Sequence, residues 1–143
     1  MRQVRLAHTT RVPLPFEEAM RCFTPVGERA WVEGWDPAFP AGEPPAGDDG
    51  DAPDTVFVTG GDTLWVVTER SERLVRYART TPGVMAGTVT VRCTPDGEAT
   101  AAEVTYALTA LGPAGEPQLE ALADGYAARI DGWARAIADH LLP

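Results

Sequence analysis

Alternation of polar and apolar side chains marks the first element of the chain. Residues 2–12 repeat with a period of two, which predicts a β-strand with one buried face. The face expected to point inward carries Val4, Leu6, His8, Thr10 and Val12. Arginine and other polar residues dominate the opposite face, so we expect that face to lie in water.

Two short helices are predicted after this strand. Pro13 and Pro15 end the strand, and proline at position 15 suits the first turn of a helix over residues 15–23. The acidic pair Glu17 and Glu18 would stabilise that helix by lying at the positive end of its dipole. A second short helix is predicted at about residues 27–31.

Five strand-like runs follow, and turn residues separate them. Gly-Gly, Pro-Gly and Pro-Asp-Gly supply the backbone conformations that tight turns need. Short turns join antiparallel neighbours, so the runs predict a meander rather than alternating strands and crossover helices. The predicted strands are residues 55–59, 63–69, 73–80, 84–94 and 99–111.

An apolar stripe of period 3.6 predicts one long amphipathic helix over residues 115–141. Its members, spaced by three or four residues, are Leu119, Leu122, Tyr126, Ile130, Trp133, Ile137 and Leu141. We expect Tyr126, Ile130 and Trp133 to face the sheet. Gly125 and Gly132 lie within this stretch, where each costs about 1 kcal/mol relative to alanine. The predicted fold class is therefore α+β: an antiparallel sheet with a long C-terminal helix across one face.

Length and charge narrow the classes of function. A chain of 143 residues suits one domain over residues 1–143. Its formal net charge of −9 disfavours nucleic acid and anionic lipid as partners. No apolar run reaches the ~20 residues of a membrane span, and the N-terminus lacks the apolar block of a signal peptide. These features predict a cytoplasmic protein.

Missing residue types exclude several chemistries. All twelve basic residues are arginine, so lysine Schiff bases and a Walker-type phosphate loop are ruled out. The only serine, Ser71, lies in a predicted hairpin without the context of a catalytic nucleophile. Cys22 and Cys93 match no metal or redox spacing, and we expect them to be free, buried thiols. The sequence predicts no metal site and no cofactor.

Residues 40–54 are acidic and rich in proline and glycine, which predicts a mobile, solvated loop. Its aspartates, Asp48, Asp49, Asp51 and Asp54, raise the alternative of a calcium site. Their spacing does not fit the EF-hand pattern, so a solvated loop is the favoured interpretation.

Two segments carry a resemblance to a known family. The segment FTPVGERAWVEGWDPAF (residues 23–39) resembles the entry region of the SRPBCC superfamily, which includes START-like, Bet v1-like and polyketide cyclase/dehydrase proteins. The ending GYAARIDGWARAIADHL (residues 125–141) is similar to the closing helix of that superfamily. The resemblance implies the helix-grip fold, in which a curved sheet wraps around the helix and encloses a cavity for apolar ligands. It implies no shared catalytic motif.

The predicted ligand-binding residues are those that this arrangement would turn inward: His8, Trp35, Trp65, Tyr77, Tyr106 and Tyr126. Each has a structural alternative, because a buried histidine or tyrosine more often packs in the core than binds a ligand. Trp65 shares a strand face with Val67, and which face of that strand points inward is open. In the next predicted strand it is likewise open whether Tyr77 or Arg76 points inward.

Three functions remain as hypotheses. The first is a module that binds a small apolar or aromatic molecule between sheet and helix. The second is an enzyme of the polyketide cyclase or dehydratase type, with His8, Tyr106 or Arg92 moving protons. The third is an interaction protein resembling the Hsp90-activator relatives, with a collapsed pocket. A buried cluster of titratable groups would favour the enzyme hypothesis. A dry pocket would favour the ligand-binding module. The sequence also leaves open whether the protein forms a homodimer.

Overall fold

Six antiparallel strands form one sheet in the computed structural model, which describes residues 2–143. The strands lie in the order β1-β6-β5-β4-β3-β2, so β2 to β6 form the predicted meander and β1 pairs with β6. The sheet curves around the C-terminal helix, which confirms the predicted helix-grip class. The strand bounds are β1 Gln3–Val12, β2 Val56–Thr59, β3 Thr63–Arg70, β4 Leu74–Thr81, β5 Met85–Asp96 and β6 Ala99–Ala110.

The predicted long helix is interrupted, and on this point the sequence-based prediction is wrong. Helix α2 (Gly115–Asp124) ends at Gly125, and helix α3 (Tyr126–Leu141) begins directly after it. Gly125 has φ −119° and ψ 18°, outside the helical range. Glycine has the weakest intrinsic preference for a helix interior apart from proline, so the break falls where continuation is least favourable. The two earlier helices are α1 (Phe16–Cys22) and a 3₁₀ helix (Gly27–Ala30).

Burial along the strands decides which faces point inward. In β1, Val4, Thr10 and Val12 are buried, as the alternation predicted. In β3, Trp65 and Val67 point inward, whereas Leu64 is 42% exposed on the outer face. In β4 the inward residue is Tyr77 rather than Arg76.

Helix α3 packs closely against β1. Ile130 and Ile137 are fully buried, and Tyr126 is 5% exposed. Trp133 is only half-buried, and Leu141, the last residue of the predicted stripe, is exposed. The stripe therefore marks the packed face of the helix correctly except at its C-terminal end.

The acidic segment 40–54 is a loop, as predicted, but the body of the protein holds it in place. Asp49 pairs with Arg21 at 3.2 Å, and its carbonyl oxygen accepts a hydrogen bond from the Val26 amide. Asp51 pairs with Arg70 at 2.6 Å. These contacts give two of its carboxylates structural partners and correct the prediction of a wholly solvated, mobile loop.

Burial of the two cysteines agrees with the prediction of free thiols. Cys22 and Cys93 are both unpaired and buried. Burial raises the pKa of Cys22 to about 11 and that of Cys93 to about 12, so both stay as unreactive thiols at neutral pH. Within residues 2–143, no helix has the length and apolar character needed to cross a membrane.

Candidate functional site

A cavity of about 280 Å³ lies between the inner face of the sheet and α3. Strands β2 to β6 contribute one wall, and α3 together with the segment from Phe23 to Trp35 contributes the other. The lining is mainly aromatic and apolar, with a few charged groups among it. The lining residues are Phe23, Glu28, Val32, Trp35, Thr59, Thr63, Trp65, Tyr77, Arg79, Val89, Val91, Tyr106, Arg129 and Trp133.

Trp65 and Trp35 form an aromatic corner of this cavity. The Trp65 ring stacks on the Phe57 ring, with the two centroids 5.6 Å apart. The Trp35 ring packs edge-on against the Trp65 ring, with centroids 5.9 Å apart. Both indole N–H groups already have partners: Trp65 Nε1 donates to Thr59 Oγ1, and Trp35 Nε1 donates to the Pro25 carbonyl oxygen. The rings therefore offer the cavity apolar surface and no unpaired indole donor.

Trp133 of α3 forms the opposite aromatic side. Its ring lies 5.9 Å from Trp31 and 6.3 Å from both Phe23 and Tyr106. Tyr77 contributes a ring whose hydroxyl donates to the Phe23 carbonyl oxygen at 2.7 Å. This hydrogen bond ties β4 to the end of α1 and holds Tyr77 in one orientation.

Arg79 is a cation within this largely apolar lining. Its guanidinium carbon lies 5.0 Å from the centre of the Trp65 ring, a cation–π distance. Its Nη2 makes one long hydrogen bond of 3.4 Å to Thr81, and its buried Nε has no partner among residues 2–143. Burial lowers the pKa of Arg79 from its usual value. The cation–π contact and the long hydrogen bond to Thr81 offset only part of the cost of removing this charge from water.

Glu28 brings a carboxyl group to the same cavity from the 3₁₀ helix. Burial raises the pKa of Glu28 from 4.5 to about 8, so the carboxyl group is mainly protonated at neutral pH. Burial, with Glu28 acting in the same direction, raises the pKa of Tyr106 to about 12. At neutral pH the cavity therefore presents a neutral acid and a neutral phenol, both able to donate a proton.

The structure brings four of the six predicted ligand-binding residues together around the cavity: Trp35, Trp65, Tyr77 and Tyr106. His8 and Tyr126 are not part of its lining. His8 Nε2 lies 2.9 Å from Asp131 Oδ1, and the Tyr126 hydroxyl donates to the Val104 carbonyl oxygen at 2.6 Å. Both face inward as predicted, but His8 lies on β1 and Tyr126 lies over β6, where α3 packs directly on the sheet.

Sequence reasoning missed Glu28, Arg79 and Arg129 as cavity residues and assigned Trp133 to the core. Arg79 is two residues from Tyr77 in β4, so alternation would place it inward once Tyr77 was placed there. Glu28 lies in a short 3₁₀ helix, where no periodic pattern identifies the inward face. Arg92, considered as a proton carrier, is exposed on the outer face of β5 and does not reach the cavity.

A second cavity of about 510 Å³ adjoins the first and shares Arg79, Tyr106 and Arg129 with it. It extends beneath α2 to the helix break at Gly125. The three shared residues thus stand at the junction of the two spaces. The helix break at Gly125 therefore forms one boundary of the second cavity.

Solved structures of known proteins share this fold at low sequence identity. CalU16 from Micromonospora echinospora is 16% identical with a TM-score of 0.68, over 97% of this chain and 77% of that one. Norcoclaurine synthase from Thalictrum flavum, solved with dopamine and hydroxybenzaldehyde, is 13% identical with a TM-score of 0.60. That match covers 99% of this chain and 90% of the synthase chain.

The Aha1 dimer from Colwellia psychrerythraea is a further structural match, 12% identical with a TM-score of 0.58, over 96% of this chain and 97% of that one. No curated protein matches the sequence. A family match, in contrast, covers residues 3–141. This chain therefore belongs to the family described as polyketide cyclase / dehydrase and lipid transport.

Proposed function

We propose that this protein binds a small aromatic molecule in the cavity between the sheet and α3. The observation that carries the proposal is the aromatic lining, to which Trp35, Trp65 and Trp133 contribute from three separate segments of the chain. Concave, mainly apolar sites with a few polar groups are the usual form of small-molecule sites in proteins.

Two comparisons support the proposal. The family description includes lipid transport and polyketide cyclisation, both of which concern largely apolar molecules. Norcoclaurine synthase, which shares the fold, was solved with two aromatic compounds. The third hypothesis, an interaction protein, expected a collapsed pocket, and the open cavity favours the other two.

Binding of naphthalene-2-methanol, a neutral aromatic probe, tests the proposal. We expect saturable one-site binding that quenches tryptophan emission, since three of the four tryptophans line the cavity. Trp65→Leu should weaken binding by about tenfold, the effect of losing roughly 1.4 kcal/mol of contact. Leu64→Ala is the matched control. Leu64 directly precedes Trp65 in β3, but its side chain points outward, away from the cavity. Absence of saturable binding would refute the proposal.

An enzyme of the cyclase type is the second candidate, and the titratable groups in the cavity favour it. Glu28 has a pKa near neutrality, which suits a group that takes and returns a proton. Arg79 and the Tyr106 phenol share the cavity with it and can donate hydrogen bonds to a developing oxyanion. Such a set suits the removal of a proton next to a ketone.

Exchange of hydrogen for deuterium at the acidic CH₂ of 2-tetralone tests this candidate by NMR. In D₂O, ionised Glu28 takes one proton from carbon, the resulting Glu28 carboxyl group exchanges that proton for a deuteron of the solvent, and the deuteron then passes to the enolate carbon, which restores ionised Glu28. We expect the rate to rise with pH through about 8, as Glu28 ionises. Glu28→Gln should abolish the protein-dependent exchange, whereas Glu33→Gln, at an exposed position five residues away, should leave it unchanged. Exchange that survives Glu28→Gln would exclude this role.

A further inference from the structure

Arg79 has fewer hydrogen-bond and ion-pair partners than an arginine with a purely structural role normally has. Its cation–π contact with Trp65 supplies no oxygen acceptor for the N–H donors of the guanidinium group. The Nε donor is buried and unpaired, and no ion pair within residues 2–143 includes Arg79. Arg79 as a whole is partly buried, and a cation in a largely apolar lining normally has an anionic partner, which no described residue supplies here.

The surrounding groups do not neutralise this charge at neutral pH. Glu28 is the one acidic side chain in the cavity lining, and burial keeps it mainly protonated. Tyr77 and Tyr106 are neutral phenols at this pH, as tyrosine ordinarily is, and burial raises the pKa of each further. Arg129, from α3, adds a second cation at the junction of the two cavities. The site is thus locally positive in a protein whose formal net charge is −9.

We propose that the molecule bound in this cavity carries an anionic oxygen group, a carboxylate or an ionised enol, which accepts hydrogen bonds from Arg79. The inference rests on the proposed function, because the aromatic body of the same ligand occupies the Trp35–Trp65–Trp133 chamber. Arg79, which no ion pair neutralises, supplies guanidinium N–H donors at one wall of the cavity, and Arg129 adds attraction from the opposite wall. The charged group then sits at the junction with the second cavity, and an extension of the ligand can continue beneath α2.

A matched pair of probes separates the charge from the aromatic body: 2-naphthoate and the neutral naphthalene-2-methanol. At pH 7 we expect the wild-type protein to bind 2-naphthoate about tenfold more tightly, the effect of one charge-assisted hydrogen bond. Arg79→Gln should reduce this preference to near unity while naphthalene-2-methanol still binds. Arg92→Gln is the control, since it removes the same charge from the outer face.

Two further measurements keep the test decisive if Arg79→Gln is poorly folded. Arg129→Gln, at an exposed helix position, should lower the preference for 2-naphthoate in the same direction. The affinity of the wild-type protein for 2-naphthoate should fall between pH 7 and pH 9, because Glu28 gains negative charge as it ionises near pH 8. Affinity for naphthalene-2-methanol should stay nearly constant over that range, and Glu28→Gln should flatten the response to 2-naphthoate.

The outcomes distinguish this inference from the function on which it rests. Equal affinity of the wild-type protein for both probes, or a preference that Arg79→Gln retains, overturns the anionic-ligand inference and leaves aromatic binding intact. Failure of both probes to bind overturns the inference together with the proposed function. A preference that Arg92→Gln also abolishes reflects overall charge and overturns the assignment to Arg79.

Discussion

Helix α3 covers two regions of the sheet that differ in packing and in hydrogen bonding. In the closed half, at the β1 edge, Ile130 is fully buried and the polar side chains are paired, as in the His8–Asp131 contact. In the open half, over β2 to β6, a cavity replaces direct packing, and Arg79 Nε is buried without a partner among the described residues. The same helix thus packs tightly on the sheet at one side and borders the proposed ligand site at the other.

This difference separates the side chains that pack the core from those that line the proposed site. Unpaired buried polar groups cost free energy, so each one in a fold calls for a physical explanation. The closed half contains groups that the chain completes for itself. Variants in the two halves should therefore have different effects: those in the closed half on unfolding, and those in the open half on binding and pH dependence.

The largest effect is expected for Ile130→Ala in the closed half. Removing this fully buried side chain should lower the free energy of unfolding by about 3–4 kcal/mol, because a cavity remains where the chain cannot collapse. Urea denaturation measures the loss, and Ile130→Val should show about 1 kcal/mol. Binding of naphthalene-2-methanol to the folded variant should stay near the wild-type value. A loss below about 1 kcal/mol would show that α3 does not anchor the closed half.

Glu28→Gln should change the pH dependence of stability in the open half. The pKa of Glu28 is about 8 in the folded protein and near 4.5 when solvated, so the folded state holds a proton that the unfolded chain has released. Wild-type stability from this group therefore falls as pH rises through that window. Between pH 6 and pH 9 the loss should be about 2–3 kcal/mol.

Urea unfolding at pH 6 and pH 9 measures this loss. Glu28→Gln should lack it, because glutamine does not ionise. Glu33→Gln should follow the wild-type protein, since Glu33 is exposed. Parallel pH curves for the wild-type protein and Glu28→Gln would contradict the burial of the Glu28 carboxyl group.

The two tyrosines give a smaller, matched comparison of the halves. Tyr126→Phe removes the hydroxyl that donates to the Val104 carbonyl oxygen and should cost about 1–2 kcal/mol in thermal or urea unfolding. Tyr106 faces the cavity, so Tyr106→Phe should change stability by no more than about 0.5 kcal/mol. Equal losses of stability for the two variants would contradict this difference between the hydrogen-bonded hydroxyl of Tyr126 and the cavity-facing hydroxyl of Tyr106.

The smallest effect concerns the partly exposed His8–Asp131 pair. Hydrogen bonds from His8 and then from Thr10 lower the pKa of Asp131 from its usual value. This contribution to stability is present above the usual aspartate range and is lost as pH falls through the lowered pKa. His8→Ala should raise the pKa of Asp131 in an NMR titration. Thr9→Ala, on the other face of β1, should not change it.

The strands show how much the local pattern predicts. The five runs of the meander and β1 were predicted to within about two residues, because alternation and turn residues act over short distances. Three of the four predicted residues that line the cavity, Trp65, Tyr77 and Tyr106, lie on strands, where the period of two puts alternate residues on one face. The fourth, Trp35, lies in a loop. His8 satisfies the same pattern and yet lies outside the cavity, since the pattern identifies a face but not what covers it.

The helix break shows where local reasoning stops. The stripe from Leu119 to Ile137 predicts a continuous amphipathic surface and describes both α2 and α3, but it does not reveal the interruption between them. Gly125 and Gly132 are equally weak helix formers in sequence terms. The chain breaks at Gly125, beside the second cavity, and continues as helix through Gly132. Packing against the sheet, which involves residues distant in the chain, decides between them.

The sequence by itself determined the α+β class, the succession of strands in the meander, the acidic net charge and the absence of lysine chemistry. Each follows from composition or from periodicity over a few neighbouring residues. Only the tertiary structure decided which faces of β3 and β4 point inward, and that α3 closes against β1 and leaves a cavity over β2 to β6. It also set the ionisation of Glu28 and the isolation of Arg79. Desolvation and pairing depend on every group packed around a side chain, and those groups come from segments that lie far apart in the sequence.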